Sequence, residues 1–342
     1  MDNFIMMSSD EQKLYFEQSQ TKLALPPAVI EKDFWVCWTL WQLFGLSEWG
    51  KHLTFKGGTS LSKCWGLIDR FSEDIDIVVN RAFLGFGGER SPEKASSKKG
   101  RAKLLKSLKN ACKERIQGEL KPILEQCFTE SLPVQSKWSL DIASPEEDPD
   151  EQTLLFKYPG TLTGDLNYLN PQIKIELGAR SDTWPTEVPI IQPYLADAFP
   201  DIFSIGKFSV QAVAPERTFW EKAMLLHEEN FRPAEKSRKA RLARHYYDLW
   251  SLIQRGVAKR AIQDVGLFSS VAEHRSVFFN VSWVDYSTLQ KGSLRIVPRD
   301  DQIDVWRRDY DAMRKEMFFG EVPKFDEILS IINKFEQEFN QL

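Results

Sequence analysis

Two aspartates lie two residues apart in an otherwise apolar segment, Asp74-Ile75-Asp76-Ile77. On a β-strand, alternate side chains project to opposite faces, so the two carboxylates share one face and the two isoleucines share the other. Carboxylates held this close repel each other unless a cation lies between them, and Mg²⁺ prefers carboxylate oxygens together with the phosphates of a nucleotide. The spacing therefore predicts a site for one or two Mg²⁺ ions that supports in-line displacement at a nucleoside triphosphate.

A glycine turn precedes the aspartates. Gly57-Gly58-Thr59-Ser60 follows a predicted strand at residues 52–55 and opens a predicted helix. Glycines let the backbone approach an anion closely, and the free amides at a helix N-terminus bind phosphate. The hydroxyls of Thr59 and Ser60 can add hydrogen-bond donors. Because the paired aspartates follow it, this turn is interpreted as a site for the phosphates of an NTP.

A third carboxylate comes from Glu176. It lies in the alternating segment 173–177, where Lys174 and Glu176 share a face. If this strand pairs with the aspartate strand, Glu176 would complete a metal-binding triad with Asp74 and Asp76. The alternative is an ordinary amphipathic strand with no ligand.

Three basic residues surround these motifs. Lys56 and Lys63 flank the glycine turn and could contact the nucleotide, although their charge favours solvent-exposed side chains. Arg70 immediately precedes the acidic segment and is expected to support it.

The predicted secondary structure changes once along the chain, from strands with helices to mostly helices. Apolar patterns predict strands at residues 74–79, 138–142, 154–158, 173–177 and 208–212. In the same part, helices are predicted at 28–44 and 101–128, with a loop at 83–100. After Pro215 the pattern is mostly helical, at 215–229, 241–255, 258–264, 304–318 and 325–340.

We therefore predict an α+β fold built on a small mixed β-sheet with flanking helices. Residues 1–50 would form N-terminal helices that pack on this core, residues 51–213 the α/β domain, and residues 214–342 a mostly helical domain. The 42% of hydrophobic residues suffices for large buried cores.

Composition excludes several classes of protein. The four cysteines have no metal-binding or disulfide-framework spacing, and the histidines form no zinc pattern. No run of about 18 apolar residues predicts a membrane span, and the first residues lack the order of a secretory signal. The expected protein is cytoplasmic, without membrane association.

The net charge of −4 conceals two basic segments. Residues 94–115 contain nine Lys/Arg and a single acid, and residues 231–244 contain six Lys/Arg and a single acid. Such segments are either solvated surfaces or sites for a polyanion. The second segment leads directly into the motif around Asp248 and is the more promising of the two.

The glycine turn, the Asp-x-Asp strand and the later acidic strand together resemble the active-site pattern of the DNA polymerase β-like nucleotidyltransferase superfamily. The form KGGTSLSK…RFSEDIDI resembles the AbiEii/AbiGii toxin family of nucleotidyltransferases more closely. Segments 30–36 (IEKDFWV), 215–222 (PERTFWEK) and 244–249 (RHYYDL) resemble further motifs of that family, in the expected order. The resemblance extends over about residues 30–255.

The resemblance implies a role for each matching residue. Asp74 and Asp76 would bind the metal, and Gly58, Thr59 and Ser60 would hold the triphosphate.

Two later residues also match. Lys222 would contact the nucleotide phosphates, and Asp248 would lie near the acceptor or the metal and help to deprotonate the attacking hydroxyl. From the residues alone, Lys222 reads equally well as a surface lysine. Asp248 reads equally well as the partner of Arg244, one helical turn earlier.

The implied function is magnesium-dependent transfer of an NMP from an NTP to an acceptor hydroxyl, with RNA as the acceptor, at the tRNA 3′ end. The protein would act as the toxin of a toxin–antitoxin or abortive-infection phage-defence system, with a cognate antitoxin encoded nearby. One alternative is a small-molecule nucleotidyltransferase of the antibiotic adenylyltransferase kind, which would need an acidic pocket. Another is a catalytically silent nucleotide- or partner-binding protein, but the presence of Asp74, Asp76 and Glu176 argues against it.

Overall fold

The computed structural model describes residues 1–70, 72, 74–162, 170–204, 206–318 and 322–342, without the side chains of residues 315 and 316. The chain forms two compact units. The first comprises Met1–Trp65 and Ser72–Ala212, and the second comprises Gly66–Phe71 and Val213–Leu342. Neither unit is continuous in sequence, because the short segment Gly66–Phe71 packs with the C-terminal part.

A seven-stranded mixed sheet forms the centre of the first unit. The strands of the chain are β1 Leu53–Lys56, β2 Ile75–Val79, β3 Ser139–Ile142, β4 Thr153–Lys157, β5 Gln172–Gly178, β6 Thr186–Glu187, β7 Ile190–Ile191, β8 Phe208–Ser209 and β9 Ala212–Val213. The sheet has the order β3-β4-β5-β2-β1-β9-β6, and β7 pairs with β8 in a separate ribbon. Strand β2 is therefore internal, antiparallel to β1 and parallel to β5.

Helices flank this sheet. They are α1 Asp2–Ile5, α2 Ser9–Leu23, α3 Pro27–Gly45, α4 Gly57–Trp65, α5 Lys98–Arg115, α6 Lys121–Ser131 and α7 Tyr194–Ala198. Helix α3 carries the largest aromatic side chains of the core. Trp35 packs edge to face against Trp38 and Phe156, whereas Trp38 stacks on Phe156 and contacts Phe128 with tilted rings. Such aromatic pairs add packing energy beyond the burial of their area.

Two sequence expectations in this unit need correction. The single helix predicted at 101–128 is two helices, α5 and α6, joined by a π-helical turn at Ile116–Leu120. The loop predicted at 83–100 ends earlier, because the Ser97 hydroxyl caps α5 by accepting a hydrogen bond from the Gly100 amide.

The second unit is helical. Its helices are α8 Pro215–Asn230, α9 Arg244–Gln254, α10 Val257–Gln263, α11 Val265–Phe278, α12 Ile303–Met317 and α13 Phe325–Gln341. Its core is an aromatic cluster in which Trp220 contacts Phe268, Phe335 and Phe339. Helix α11 was not predicted, because its apolar residues are spread around the helix and do not form a stripe.

The predicted α+β class, with a mixed sheet followed by helices, is confirmed. Within the described ranges, none of the helices has the length and apolar character that crossing a membrane requires.

Candidate active site

The paired aspartates lie at the start of strand β2. Asp74 directly precedes the strand and Asp76 is its second residue, and both are half-buried. The alternate residues Ile75 and Ile77 are buried on the opposite face. Alternation thus anchors the strand through its apolar face and leaves the two carboxylates on the other face.

The glycine turn lies against one of these carboxylates. Strand β1 leads directly into helix α4 at Gly57, which has a φ of +80°. A β-carbon on Gly57 would lie 1.9 Å from Asp76 Oδ2 and 2.7 Å from Asp76 Cγ. Two features therefore require glycine at this position. One is the left-handed backbone, and the other is the Asp76 carboxylate, which occupies the space of a side chain.

The two hydroxyls of the turn are used within the protein. Thr59 Oγ1 lies 2.5 Å from the carbonyl oxygen of Asp74 and 2.9 Å from Ser72 Oγ. Ser60 Oγ donates to the carbonyl oxygen of Gly57 over 3.0 Å. Both side chains are buried. The turn is thus fastened to the backbone that carries Asp74, and the donors that remain for a phosphate are the amides of the first helical turn, including that of Gly58.

The strands on either side of β2 add charged residues to the same face. Lys56 on β1 and Glu176 on β5 are both in register with Asp76. Lys56 Nζ donates to Ser181 Oγ over 2.8 Å.

Glu176 has a basic partner on its own strand. Its Oε1 lies 2.5 Å from Lys174 Nζ. Burial lowers the pKa of Lys174, but Glu176 and then Asp74 outweigh this effect, so that the net shift of the pKa is upward. Within the described part of the chain, no group of three or more His, Cys, Asp or Glu side chains is arranged as a metal site. Glu176 as a third ligand therefore stays a prediction.

A buried ion pair joins helix α4 to helix α3. Lys63 Nζ lies 2.7 Å from Asp33 Oδ1 on α3, with side chains only 5% and 4% exposed. The second oxygen of Asp33 accepts from the Tyr194 amide over 2.7 Å, and the Lys63 ammonium lies 3.8 Å from the centre of the Tyr194 ring. Burial lowers the pKa of Lys63, but Asp33, Cys37 and Tyr194 together outweigh this effect, so that the pKa is raised. The expectation of an exposed Lys63 is thus wrong.

The second unit contains its own charged cluster around Asp248, which is fully buried. Arg70 donates to both carboxylate oxygens, over 2.7 and 2.9 Å, and Lys222 Nζ lies 2.8 Å from Oδ2. Burial alone would raise the pKa of Asp248, but Arg70 and Lys222 hold it well below its usual range. Asp248 is therefore anionic and a weak base near neutral pH.

Lys222 is buried beside this anion. Its pKa is lowered because burial outweighs the attraction of Asp248. His245 Nδ1 lies 3.5 Å from Lys222 Nζ, and burial together with Lys222 lowers the pKa of His245 well below 6.5. His245 is therefore neutral near neutral pH, and Lys222 is a desolvated cation oriented by one carboxylate.

Two sequence interpretations of this cluster are corrected. The partners of Asp248 are Arg70 and Lys222, and not Arg244, which the helical spacing suggested. Arg70 lies in the segment Gly66–Phe71, which belongs to the second unit, and its expected support of the acidic strand stays a prediction. Lys222 is a buried residue and not a surface lysine.

The predicted residues thus form two groups. The turn Gly57–Ser60, Asp74 and Asp76 come together in the first unit, with Glu176 in the neighbouring strand. Lys222 and Asp248 come together in the second.

The chain matches a family model and is similar to a solved structure. The family model described as "Nucleotidyl transferase AbiEii toxin, Type IV TA system" matches residues 38–331. One similar solved structure is MenT4, the nucleotidyltransferase toxin Rv2826c from Mycobacterium tuberculosis H37Rv, with 17% sequence identity and a TM-score of 0.49. The alignment covers 92% of this chain and 85% of MenT4. No curated protein matches.

The family match extends over most of the chain and includes the glycine turn, both aspartates and the Asp248 cluster. This chain belongs to the AbiEii family and is a nucleotidyltransferase toxin of a type IV toxin–antitoxin system.

Proposed function

We propose that this nucleotidyltransferase moves an NMP from an NTP to a hydroxyl of RNA, at the 3′ end of tRNA, in a magnesium-dependent reaction. The contact between Asp76 and Gly57 is the observation that carries the proposal. A carboxylate beside an anion-binding turn repels a phosphate, unless a divalent cation lies between them. The juxtaposition therefore suits a metal–triphosphate complex, in which the cation lies between the carboxylate and the phosphates.

The residues present fit Mg²⁺. Asp74 and Asp76 offer hard oxygen ligands from one strand face, and Glu176 is in register beside Asp76. When bound, Mg²⁺ would neutralise charge on the triphosphate. The chain itself keeps this face in place, because Thr59 holds the Asp74 backbone and Gly57 leaves room for the Asp76 carboxylate.

The triphosphate would be held by the first turn of α4. The amides of Gly58, Thr59 and Ser60 lie at the positive end of the helix, where they favour an anion. Because the hydroxyls of Thr59 and Ser60 have protein partners, we assign phosphate binding to the backbone. In the reaction the acceptor oxygen would form a bond to the α-phosphorus as the bond from that phosphorus to the bridging oxygen of the β-phosphate breaks. Pyrophosphate would leave with the bridging oxygen, and the hydroxyl proton would pass to solvent.

We retain Lys222 as the proposed phosphate-contacting cation, from the family resemblance. Asp248 is assigned to orienting the Lys222 ammonium and not to accepting the acceptor's proton, because its pKa is lowered. The variants Lys222→Arg and Lys222→Met test this assignment. If Lys222 contacts phosphate, the arginine variant should retain more transfer than the methionine variant at equal folded fraction.

RNA modification would give the toxin its effect. Transfer to the tRNA 3′ end would block translation in the cytoplasm, where tRNA and NTPs are found, and would serve phage defence. The antitoxin of the system would relieve this block.

Labelled transfer provides the test. Purified protein, Mg²⁺ and total bacterial tRNA are incubated with each of the four α-labelled NTPs in turn, and the products are separated on a denaturing gel. Label on tRNA is expected with at least one NTP, and Asp74→Asn or Asp76→Asn should reduce it by about 10³-fold or more, as removal of an essential group does.

Asp141→Asn is the matched control, since Asp141 is an exposed aspartate on β3 of the same sheet. It should transfer at the wild-type rate. Label on the protein itself, or on no RNA with any NTP, would overturn the RNA acceptor.

A further inference from the structure

The two halves of helix α5 differ in how their positive charges are compensated. Lys98, Lys99, Lys103 and Lys106 in the first half are exposed. Among the residues that the structure describes, none of these four has an ion-pair partner, and the first turn of the helix contains no acid.

The second half of α5 is neutralised. Lys109 pairs with Asp150 and Lys113 pairs with Glu151. Arg115 pairs with Glu119 over 2.6 Å. The uncompensated charge therefore ends after Lys106, although the helix continues.

Acids just before the helix are engaged elsewhere. Glu89 pairs with Lys94, and Glu93 pairs with Arg81, each over 3.1 Å. The cations of the first half thus remain available to a partner from outside the chain.

The lysines in the first half of α5 lie where the electrostatics of the helix disfavour positive charge. Lys98 and Lys99 lie at the N-terminus, where the helix dipole disfavours positive charge. Lys99, Lys103 and Lys106 are spaced by four and three residues, so they lie on one face and repel each other. A bound polyanion would relieve both effects.

We propose that the lysine face, defined as Lys99, Lys103 and Lys106, binds the phosphate backbone of the RNA acceptor; this inference rests on the proposed transfer to RNA. At a rise of about 1.5 Å per residue the lysine face is about 10 Å long. Double-stranded DNA presents one phosphate per about 3.4 Å on each strand, and at a similar spacing in an RNA stem the face would span about three phosphates. Lysine ammonium groups are point charges that contact phosphates without reading bases, so the face binds RNA stems irrespective of sequence.

The second basic segment, residues 231–244, is less suited to this role. Arg232 and Arg238 both bind Glu229, at 2.6 and 3.3 Å. Lys236 lies 4.3 Å from the centre of the Trp283 ring. Internal contacts thus occupy several of its cations, which reverses the preference drawn from the sequence.

Two double variants of one helix test the proposal. Lys103→Gln/Lys106→Gln removes two charges from the lysine face, and Lys109→Gln/Lys113→Gln removes two paired charges from the second half. Binding of labelled tRNA is measured without NTP at several salt concentrations. Each lost phosphate contact should reduce the slope of log K against log salt by about 0.7–0.9.

For Lys103→Gln/Lys106→Gln we expect a slope smaller by about 1.5 and binding weaker by about tenfold or more at moderate salt. The KM for tRNA should rise by a similar factor, with kcat and the KM for NTP unchanged. The second double variant should bind tRNA as the wild type does, and melting curves should show both variants folded.

Equal tRNA affinities of the two double variants, with tRNA labelling intact in the wild type, would overturn this inference and leave the proposed function standing. Wild-type protein that neither binds nor labels tRNA would remove the proposed function and this inference together. If Lys103→Gln/Lys106→Gln lost binding to polyglutamate but not to tRNA, the lysine face would be identified as a site for an acidic protein. That result would also overturn the inference.

Discussion

Substitution of Gly57 by alanine should separate the chemistry from the stability of the fold. The new β-carbon would lie 1.9 Å from Asp76 Oδ2, whereas a non-bonded carbon–oxygen contact needs about 3.3 Å. The Asp76 carboxylate must therefore move by about 1.4 Å, the difference between these distances. A misplacement of about 1 Å at a catalytic group can reduce the rate about 10²-fold, so we expect transfer to fall by about that factor or more.

The effect of this substitution on folding should be modest. Rotation of the Asp76 side chain removes the clash with its carboxylate, and the backbone must shift slightly to relieve the 3.0 Å contact with Asp76 Cβ. The main cost is therefore alanine at a φ of +80°, about 1–2 kcal/mol. For a unit of this size that corresponds to a Tm lower by about 2–8 °C.

Gly256→Ala is the matched control. Gly256 has a φ of +77°, and a β-carbon there meets no atom within 4 Å. The control should lose a similar amount of stability and keep transfer within about twofold of the wild type, since only the backbone strain is shared.

The assay combines initial rates of labelled NMP transfer at saturating NTP with thermal melting of the same preparations. Equal transfer rates in the Gly57→Ala and Gly256→Ala variants would refute the reasoning, because the clash with Asp76 would then have no chemical consequence.

Two further predictions concern buried charge. Lys63→Met leaves Asp33 buried without its cation and should lower the free energy of unfolding in urea by about 3–5 kcal/mol. The double variant Asp33→Leu/Lys63→Met should lose less, because both charges are gone. His227 is buried and its pKa is lowered to about 4 from 6.5, chiefly by burial and then by Arg295. The unfolded chain therefore binds this proton first, and stability should fall by up to about 3 kcal/mol as the pH decreases from 6.5 towards 4. Urea unfolding across this range should show a shallower pH dependence in His227→Gln.

Either prediction can fail in a defined way. A Lys63→Met variant as stable as the wild type would mean that the pair contributes nothing net. An identical pH dependence in the wild type and His227→Gln would assign the loss of stability to other groups, of which buried His245 shifts in the same direction.

The features that the sequence predicts best are those that depend on residues close together in the chain. The strand with alternating aspartates and isoleucines and the glycine turn before it are local patterns, and the mixed sheet followed by helices could be read from similar patterns. Even there, the close contact between Gly57 and Asp76 needed the strand register, in which Lys56 lies opposite Asp76.

What the sequence did not predict depends on long-range contacts. Lys63 was expected in solvent because its partner, Asp33, lies on a different helix. Arg70 and Asp248 are 178 residues apart, whereas helical spacing offered only Arg244. Such ion pairs form when whole helices and strands pack together, and the local spacing of residues along the chain does not indicate that packing.

The discontinuity of the second unit has a consequence for how the toxin is synthesised. Arg70 leaves the ribosome 178 residues ahead of Asp248, the anion that it contacts. At about 5–20 residues per second, that delay is about 10–35 s. During this interval the nascent chain already contains the glycine turn and both aspartates, but the second unit cannot close around its central charge. A product released early, by a broken message or a stalled ribosome, therefore contains the glycine turn and both aspartates but not Asp248 or the helix that carries it.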